Sequence, residues 1–365
     1  MMRLSTKKNS AVVGLDIEAD SIAATEVRLN GSAQAANSAV VPLGPGTVDD
    51  GEVVDPEQLG ESLAALFTRN KLAKEVRIGV ANQRLAMRTL RLPLIEDQAE
   101  LDTAVRFQAQ DELPMPLDQA VLDFQVVGQG TAEDGSRQME VAVVAARRDT
   151  VSGFMEAARR AGLRPVGIDL SAFGLIRALS DPLTAEAAPP DGVAEQAGAA
   201  PLRTILYCNL GDLANLAVAR GAGCSFCRVA PFGLGAIARN LCERQGLTIE
   251  HGRQWMTHVG LVEPVERIEG DADTVSAARE ALEQGAAKLV DELRLSIDYY
   301  SSQEAVPPVE EVVFSGSGTS IAGLTDRLGS GIGLQFSVAR PPALAHLDEA
   351  SAARLTVAYG LALEG

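Results

Sequence analysis

The segment VVGLDIEADSIAATEVRL, residues 12–29, decides the fold of this chain. A short apolar run carries Asp16 near its end, a polar turn follows, and a second strand-like run begins after Ser21. Two such runs around a tight turn are typical of a β-hairpin. A third strand, a helix capped by Asp55-Pro56 and a further strand at residues 76–80 follow. The order strand, strand, strand, helix, strand predicts an α/β fold.

The same pattern recurs in the second half of the chain. A strand, the turn Asn209-Leu210-Gly211, two further strands and a helix follow one another over residues 204–240. Asp16 and Asn209 therefore stand at equivalent ends of two first strands. An internal repeat of this length predicts two related domains that face each other across a cleft.

The remaining segments change in composition around these repeats. Residues 181–201 are rich in Ala and Pro and lack apolar periodicity, which predicts a mobile linker. The first domain core is predicted at residues 11–91 and 166–180 with a C-terminal helix at 349–365, and an α+β unit is inserted in it at 92–165. The linker follows at 181–201. The second domain core is predicted at 202–240 and 309–348, with a helical insertion at 241–308.

Charge and hydropathy exclude several classes of function. The 365 residues include 32 Lys and Arg against 49 Asp and Glu, a net charge of −17. This balance argues against nucleic-acid binding and against direct adhesion to anionic lipid, which both need clustered basic residues. The apolar run after Ser10 is too short for a signal peptide, and no run approaches the roughly 18 apolar residues of a membrane span. We expect a cytoplasmic protein that reaches a membrane only through partners.

The four cysteines, Cys208, Cys224, Cys227 and Cys242, are expected to be free thiols in a reducing compartment. Cys224 and Cys227 form a CxxC motif within a predicted strand. Residues three apart on a regular strand face opposite sides, and no second CxxC pair is present to complete a zinc site. Neither zinc binding nor redox chemistry is favoured from the sequence.

Three turns carry residues suited to phosphate chemistry. Asp16, at the end of an apolar strand, can hold a hydrated Mg²⁺ while nearby backbone N–H groups meet phosphates. The turn Asn209-Leu210-Gly211 is its counterpart in the second half, and Gly316-Ser317-Gly318 lies between a strand and a helix. A glycine turn lets the backbone approach a ligand closely, and a helix N-terminus favours anions. The three turns together predict an anion site in the cleft.

Four segments carry a resemblance to a known family. They are GLDIEADSIAATEVR, TLRLPLIEDQAELDTAVRFQAQDELPMPLDQAVLDFQV, VAVVAARRDTVSGFMEAARRAGLRPVGIDL and LTVAYGLALEG. With the repeated hairpins, they resemble the actin-like ATPase superfamily and, within it, the PilM family of type IV pilus assembly. The resemblance implies an α/β, actin-like two-domain fold with a duplicated ribonuclease-H-like core. It also implies that the small inserted α+β subdomain is of the type found in FtsA and PilM.

The resemblance also implies ligands and partners. ATP and Mg²⁺ are the expected cofactors, with Asp16 holding Mg²⁺ through water. The nucleotide-binding residues implied are Asp16, Ser21, Asn209, Gly211, Gly316, Ser317 and Gly318; no catalytic residue is assigned. The expected partner is the N-terminal cytoplasmic tail of the inner-membrane protein PilN, bound within residues 92–165, with further contacts to other pilus assembly proteins and to the motor ATPases.

This sequence departs from the family pattern at the predicted site. Glu18 replaces a glycine and Ala23 a basic residue in the first hairpin, while Asn209 replaces an aspartate in the second. Ala214 stands where a hydroxyl residue is usual. In the helical insertion, Gly252, Arg253 and Met256 replace an Ala-Glu pair and a lysine.

These replacements predict a cytoplasmic scaffold of type IV pilus assembly, or of the related type II secretion, that docks PilN and binds nucleotide only weakly. Three alternatives remain open from the sequence. They are an active ATPase that drives assembly, a cell-division protein like FtsA, and a small-molecule kinase of the same superfamily. Hydrolysis by the purified protein separates the scaffold from the ATPase, and phosphorylation of a sugar panel tests the kinase.

Overall fold

The computed structural model describes residues 11–29, 33–131, 135–180, 202–303 and 306–363. The predicted linker at residues 181–201 lies outside this part of the chain. The first sheet has the strand order β10-β6-β1-β2-β3. Its strands are β1 (Val12–Ile17), β2 (Ser21–Leu29), β3 (Ala33–Pro42), β6 (Glu75–Val80) and β10 (Arg164–Leu170). A short ribbon of β4 (Val48–Asp49) and β5 (Glu52–Val53) follows β3.

The second sheet repeats the first strand for strand, with the order β13-β12-β11-β14-β15. Its strands are β11 (Thr204–Leu210), β12 (Ala214–Arg220), β13 (Gly223–Val229), β14 (Glu311–Ser315) and β15 (Gln335–Val338). In each sheet a three-stranded antiparallel meander is followed by two parallel strands. The predicted internal repeat is confirmed.

Two helices cover one face of the first sheet. Helix α1 (Pro56–Asn70) begins at Asp55, whose side chain accepts hydrogen bonds from two backbone N–H groups of the first turn. Helix α3 (Arg148–Arg160) packs beside α1 and buries Phe154 in the same core as Leu63. Helix α3 is therefore part of the first domain.

The inserted unit is a three-stranded sheet covered by one helix. Its sheet has the order β7-β9-β8, with β7 (Ala86–Pro93), β8 (Ala120–Thr131) and β9 (Arg137–Arg147), and α2 (Gln98–Glu112) packs on it. The expected bounds of 92 and 165 need correction at both ends, because β7 already pairs with β9 from Ala86 and α3 belongs to the first core. The amphipathic pattern of α3 shows that it is half-buried but not which core it covers.

The second domain is mainly helical outside its sheet. Helices α5 (Leu234–Gln245), α6 (Ile249–Val259), α7 (Ala272–Ser301) and α8 (Leu324–Ile332) pack with this sheet into one core. The structure confirms three predicted helices. One begins at Leu234 as predicted, and the bounds of the other two agree within two residues with the predicted ranges 250–258 and 274–302.

Two further helices lie between the sheets. Helix α4 (Ser171–Leu179) and the C-terminal helix α9 (Glu349–Leu363) pack on each other, and α9 also lies on β1 and β2. A shared apolar cluster includes Leu175 of α4, Leu361 of α9 and Ala217 of β12. Among the described helices, none combines the length and apolarity of a membrane-crossing segment.

Candidate functional site

The turns of the two repeated hairpins lie against each other. The backbone N–H of Glu18 closes the first turn by donating to the Ser21 carbonyl over 3.0 Å. The Glu18 carboxylate then accepts from the backbone N–H of Asp212 in the second turn over 3.2 Å. A side chain at Gly211 would overlap this carboxylate. The glycine of the second hairpin therefore makes room for the glutamate of the first.

Arg354 of α9 lies between the residues predicted to hold Mg²⁺ and phosphate. Its guanidinium donates to the Asp16 carboxylate over 2.5 Å and to the Ser21 hydroxyl over 2.9 Å. It also donates to the backbone carbonyls of Asp16, over 3.1 Å, and Ser21, over 3.0 Å. The Arg354 residue is only 7% exposed and Asp16 only 5%. Asp16 is therefore already paired with a cation that the protein itself supplies.

A second arginine, on helix α6, forms ion pairs with the turns of both hairpins. Arg253 of α6 forms an ion pair with Asp20 over 2.9 Å and contacts the Asp212 carboxylate. The family resemblance placed Arg253 at the predicted nucleotide site. In the structure, Arg253 binds acidic groups of both hairpins. Both arginines thus neutralise carboxylates at the mouth of the cleft.

The pKa values of the carboxylates reflect their crowding. Burial raises the pKa of Glu18 to about 8, with Arg354 opposing the rise and the carboxylate of Asp16 adding to it. Burial also raises the pKa of Asp212, helped by the charge of Asp20 and opposed by Arg253. Glu18 is consequently protonated over much of the neutral range.

Glu18 should make stability fall with rising pH. Its pKa is 4.5 when unperturbed and about 8 in the folded chain, so between these values the folded state retains a proton that the unfolded state has lost. The free energy of unfolding therefore decreases as pH rises through this window. We expect Glu18→Gln to match the wild type near pH 4.5 and to exceed its stability above pH 8. Equal denaturant midpoints for the two proteins at both pH values would contradict this assignment.

The glycine turn after β14 packs directly on the second hairpin. Gly316 has a φ of +87°, which favours glycine, and a side chain there would come within 2.6 Å of the Asn209 side-chain oxygen. The Ser317 hydroxyl donates to the Leu210 carbonyl over 3.4 Å, and a side chain at Gly318 would lie 2.7 Å from Cβ of Leu210. The structure thus brings all three predicted turns together.

The space that remains between the hairpins is small. The cleft has a volume of about 40 Å³. Its polar and charged lining comprises Asp16, Glu18, Asp50, Ser171, Asn209, Asp212, Asn215 and Arg239. A water molecule needs about 10–15 Å³ by this measure, whereas pockets for small organic ligands span roughly 300–1,000 Å³. With Arg354 on Asp16, a magnesium-bound nucleoside triphosphate fits only if the hairpins and the guanidinium move apart.

Sequence reasoning missed Arg354 and Ser171. Ser171, at the start of α4, lies 3.4 Å from the Asp16 carboxylate. Arg354 is the one basic residue of α9, whose sequence is EASAARLTVAYGLAL. A single arginine within a buried apolar helix is a usable signal, because a buried charge requires a partner.

The two cysteines of the CxxC motif face the same side of their strand, which differs from the prediction. A bulge in β13 shifts the pairing with β12, so that Phe226 lies opposite Val218 while Cys224 lies opposite Ala219. The extra residue, Ser225, moves the alternation of side chains by one place. The prediction that the cysteines face opposite sides is wrong, because both thiols contact the sulfur of one methionine.

Comparisons with known proteins place the fold. The family model described as "Type IV pilus assembly protein PilM" matches residues 14–365. A solved "PilM-PilN type IV pilus biogenesis complex" is 24% identical in sequence, covers 98% of this chain and 98% of that chain, and superposes with a TM-score of 0.77.

More distant solved structures share the architecture. The ethanolamine utilization protein EutJ from Carboxydothermus hydrogenoformans is 13% identical over 98% of this chain and 91% of its own, with a TM-score of 0.53. MreB5 of Spiroplasma citri bound to ADP is 10% identical over 96% of this chain and 94% of its own, with a TM-score of 0.50. The predicted α/β, actin-like two-domain fold is confirmed.

Proposed function

Because the chain belongs to the PilM family of type IV pilus assembly proteins, we propose that it is a scaffold of pilus assembly whose nucleotide site Arg354 holds closed. The observation that carries this proposal is the buried ion pair between Arg354 and Asp16. Arg354 occupies Oδ2 of Asp16, so its guanidinium competes with Mg²⁺ for the charge of this carboxylate.

The energetic cost of exchanging the guanidinium for Mg²⁺ is large. Removing one partner of a buried ion pair costs roughly 3–5 kcal/mol, and after the exchange the buried Arg354 guanidinium is the charge left without its carboxylate. At about 1.4 kcal/mol for each factor of ten, the exchange lowers the affinity for the nucleotide by roughly a hundredfold or more. Glu18 adds to this cost, since its side chain lies against Gly211, where phosphate would approach the backbone.

Titration with labelled ATP and Mg²⁺ tests the closed site. We expect wild-type protein to bind ATP near the millimolar range and to hydrolyse it at background rate. The double variant Glu18→Gly with Asn209→Asp should bind roughly tenfold more tightly, the equivalent of one regained charge-assisted contact. Low-micromolar affinity with steady turnover in the wild type would overturn the proposal.

A matched control separates site repair from added charge. Asn215 lies opposite Asn209 on the neighbouring strand and lines the same cleft. Asn215→Asp adds the same carboxylate at a position that the family pattern does not assign to the nucleotide. We expect no gain in ATP affinity from it, so an equal gain would point to a general effect of charge.

The inserted unit is the proposed dock for the N-terminal tail of PilN. The related solved complex contains PilM with PilN, which supports this partner for the present chain. Within the described residues, β8 is an edge strand of the inserted sheet and exposes Val127 at 54%. Phe107 of α2 is 72% exposed on the same unit. An edge strand flanked by apolar side chains can take up an extended peptide as an additional strand.

Charge substitutions on the inserted unit test this dock. We expect Val127→Glu or Phe107→Glu to weaken binding of a fluorescent PilN tail peptide by roughly tenfold, since a charge facing an apolar contact costs about 1–3 kcal/mol. Leu295→Glu is the control, because Leu295 is similarly exposed, at 56%, but lies on α7 of the second domain. Equal binding by all three variants would place the dock elsewhere.

Docking of PilN would bring the chain to the inner face of the cytoplasmic membrane. Its net charge of −17 opposes direct adsorption to anionic lipid, so the partner has to hold it there. Co-sedimentation with vesicles should therefore require PilN. Other pilus assembly proteins and the motor ATPases are further proposed partners from the family resemblance.

A further inference from the structure

Three sulfur atoms meet where the second domain touches the inserted unit. Strand β13 packs against β7, and the buried Met87 of β7 points between the two cysteines of β13. Its sulfur lies 3.8 Å from Sγ of Cys224 and 3.7 Å from Sγ of Cys227. The bulge at Ser225 creates this arrangement by placing both thiols on one face of the strand.

The spacing places the two cysteines near the upper limit for a disulfide. Cys224 and Cys227 lie opposite Ala219 and Ala217, two residues apart on β12. At 3.2–3.4 Å per residue, this register sets their Cα atoms about 6.4–6.8 Å apart. Cα atoms joined by a disulfide are usually 4.4–6.8 Å apart. The two thiols lie at the long end of that range and are free in this structure.

The surroundings of the thiols disfavour an attacking thiolate. The hydrogen bond with Cys227 and burial both raise the pKa of the Cys224 thiol. A protonated thiol is a poor nucleophile, although a metal ion can displace its proton. Metal binding uses all three sulfur atoms of the cluster, including the Met87 thioether, which takes no part in a disulfide.

The donor set selects the kind of metal. Two thiols and a thioether are soft ligands, which favour Cu⁺ over harder divalent ions. Within the described residues, no third His, Cys, Asp or Glu joins the two cysteines in a ligating group, so the four ligands of a structural zinc site are not present. Three sulfurs at about 2.3 Å from a central ion in a trigonal plane would stand about 4 Å apart, close to the contacts seen.

We propose that Cys224, Cys227 and Met87 bind one soft monovalent cation of the Cu⁺ class. On binding, both S–H bonds break and two protons are released, while two thiolate–metal bonds and one thioether–metal bond form. No electron is transferred. The bound ion joins the second domain to the inserted unit, which also carries the proposed PilN dock.

Anaerobic titration with Cu⁺ against a colorimetric Cu⁺ chelator tests the site. The wild type should remove one equivalent of Cu⁺ from the chelator. Cys224→Ser and Cys227→Ser should each weaken this binding by roughly a hundredfold or more, and Met87→Leu by about tenfold, since even outer-shell changes at metal sites cost 10–100-fold. The control Cys242→Ser removes a thiol outside the cluster and should change nothing.

Two further measurements keep the proposal testable if a variant folds poorly. Cu⁺ should raise the melting temperature of the wild type, because it binds the three preformed sulfurs of the folded state more tightly than the thiols of the unfolded chain. X-ray absorption of the loaded wild type should show three sulfur neighbours. Unchanged binding by Cys224→Ser or a failure to compete with the chelator would overturn the proposal.

Discussion

Replacing Arg354 with methionine is expected to lower the free energy of unfolding by roughly 3–5 kcal/mol, since it leaves the buried Asp16 carboxylate without its cation. Methionine keeps the apolar stem of arginine and lacks the guanidinium, so the loss reports mainly on the charge and its hydrogen bonds. Those bonds also hold the Ser21 hydroxyl and two backbone carbonyls of the first hairpin. Chemical denaturation monitored by circular dichroism measures the change.

The double variant Asp16→Asn with Arg354→Met makes this test specific. Because the double variant removes both charges together, it should lower the free energy of unfolding by less than Arg354→Met alone. The double loss minus the sum of the two single losses is then a negative coupling energy. Arg106→Met is the matched control. Its half-exposed ion pair with Asp102 should contribute no more than about 0.5 kcal/mol. A loss for Arg354→Met as small as that of the control would show that the pair is not buried as described.

A second large effect is expected at the close contact between α4 and α9. Gly360→Ala should lower the free energy of unfolding by roughly 2–4 kcal/mol, because the added methyl group would overlap the backbone carbonyl of Gly174. Backbone cannot rotate away as a side chain can, so the helices would have to separate. Separation would also move Arg354, which lies on the same helix.

Gly130→Ala is the matched control for this substitution. Gly130 lies in β8, and a side chain there would meet nothing within 4 Å. We expect a change within about 0.5 kcal/mol of the wild type. Thermal unfolding of both variants decides the matter, and similar melting temperatures for the two would contradict the predicted packing of α4 on α9.

Much of the site could be predicted because its parts are local. Asp16 and Asn209 each lie one residue before the end of a strand, and a turn follows directly in the sequence. Gly316 and Gly318 likewise stand in a turn after β14. What occupies the space between these turns could not be predicted. Arg354 is 338 residues from Asp16 in the chain, and its helix carries no local signal of which carboxylate it meets.

The sequence by itself determined the repeated strand order, the helices and the residues at the two hairpins, because hydrophobic periodicity and turn chemistry act over a few neighbours. Only the tertiary structure decided three further points. Helix α3 joined the first core rather than the inserted unit, the bulge at Ser225 turned both cysteines to Met87, and Arg354 closed on Asp16. Each depends on which surfaces meet after the chain folds, and an amphipathic face or a buried charge shows that a partner is needed without showing which one it is.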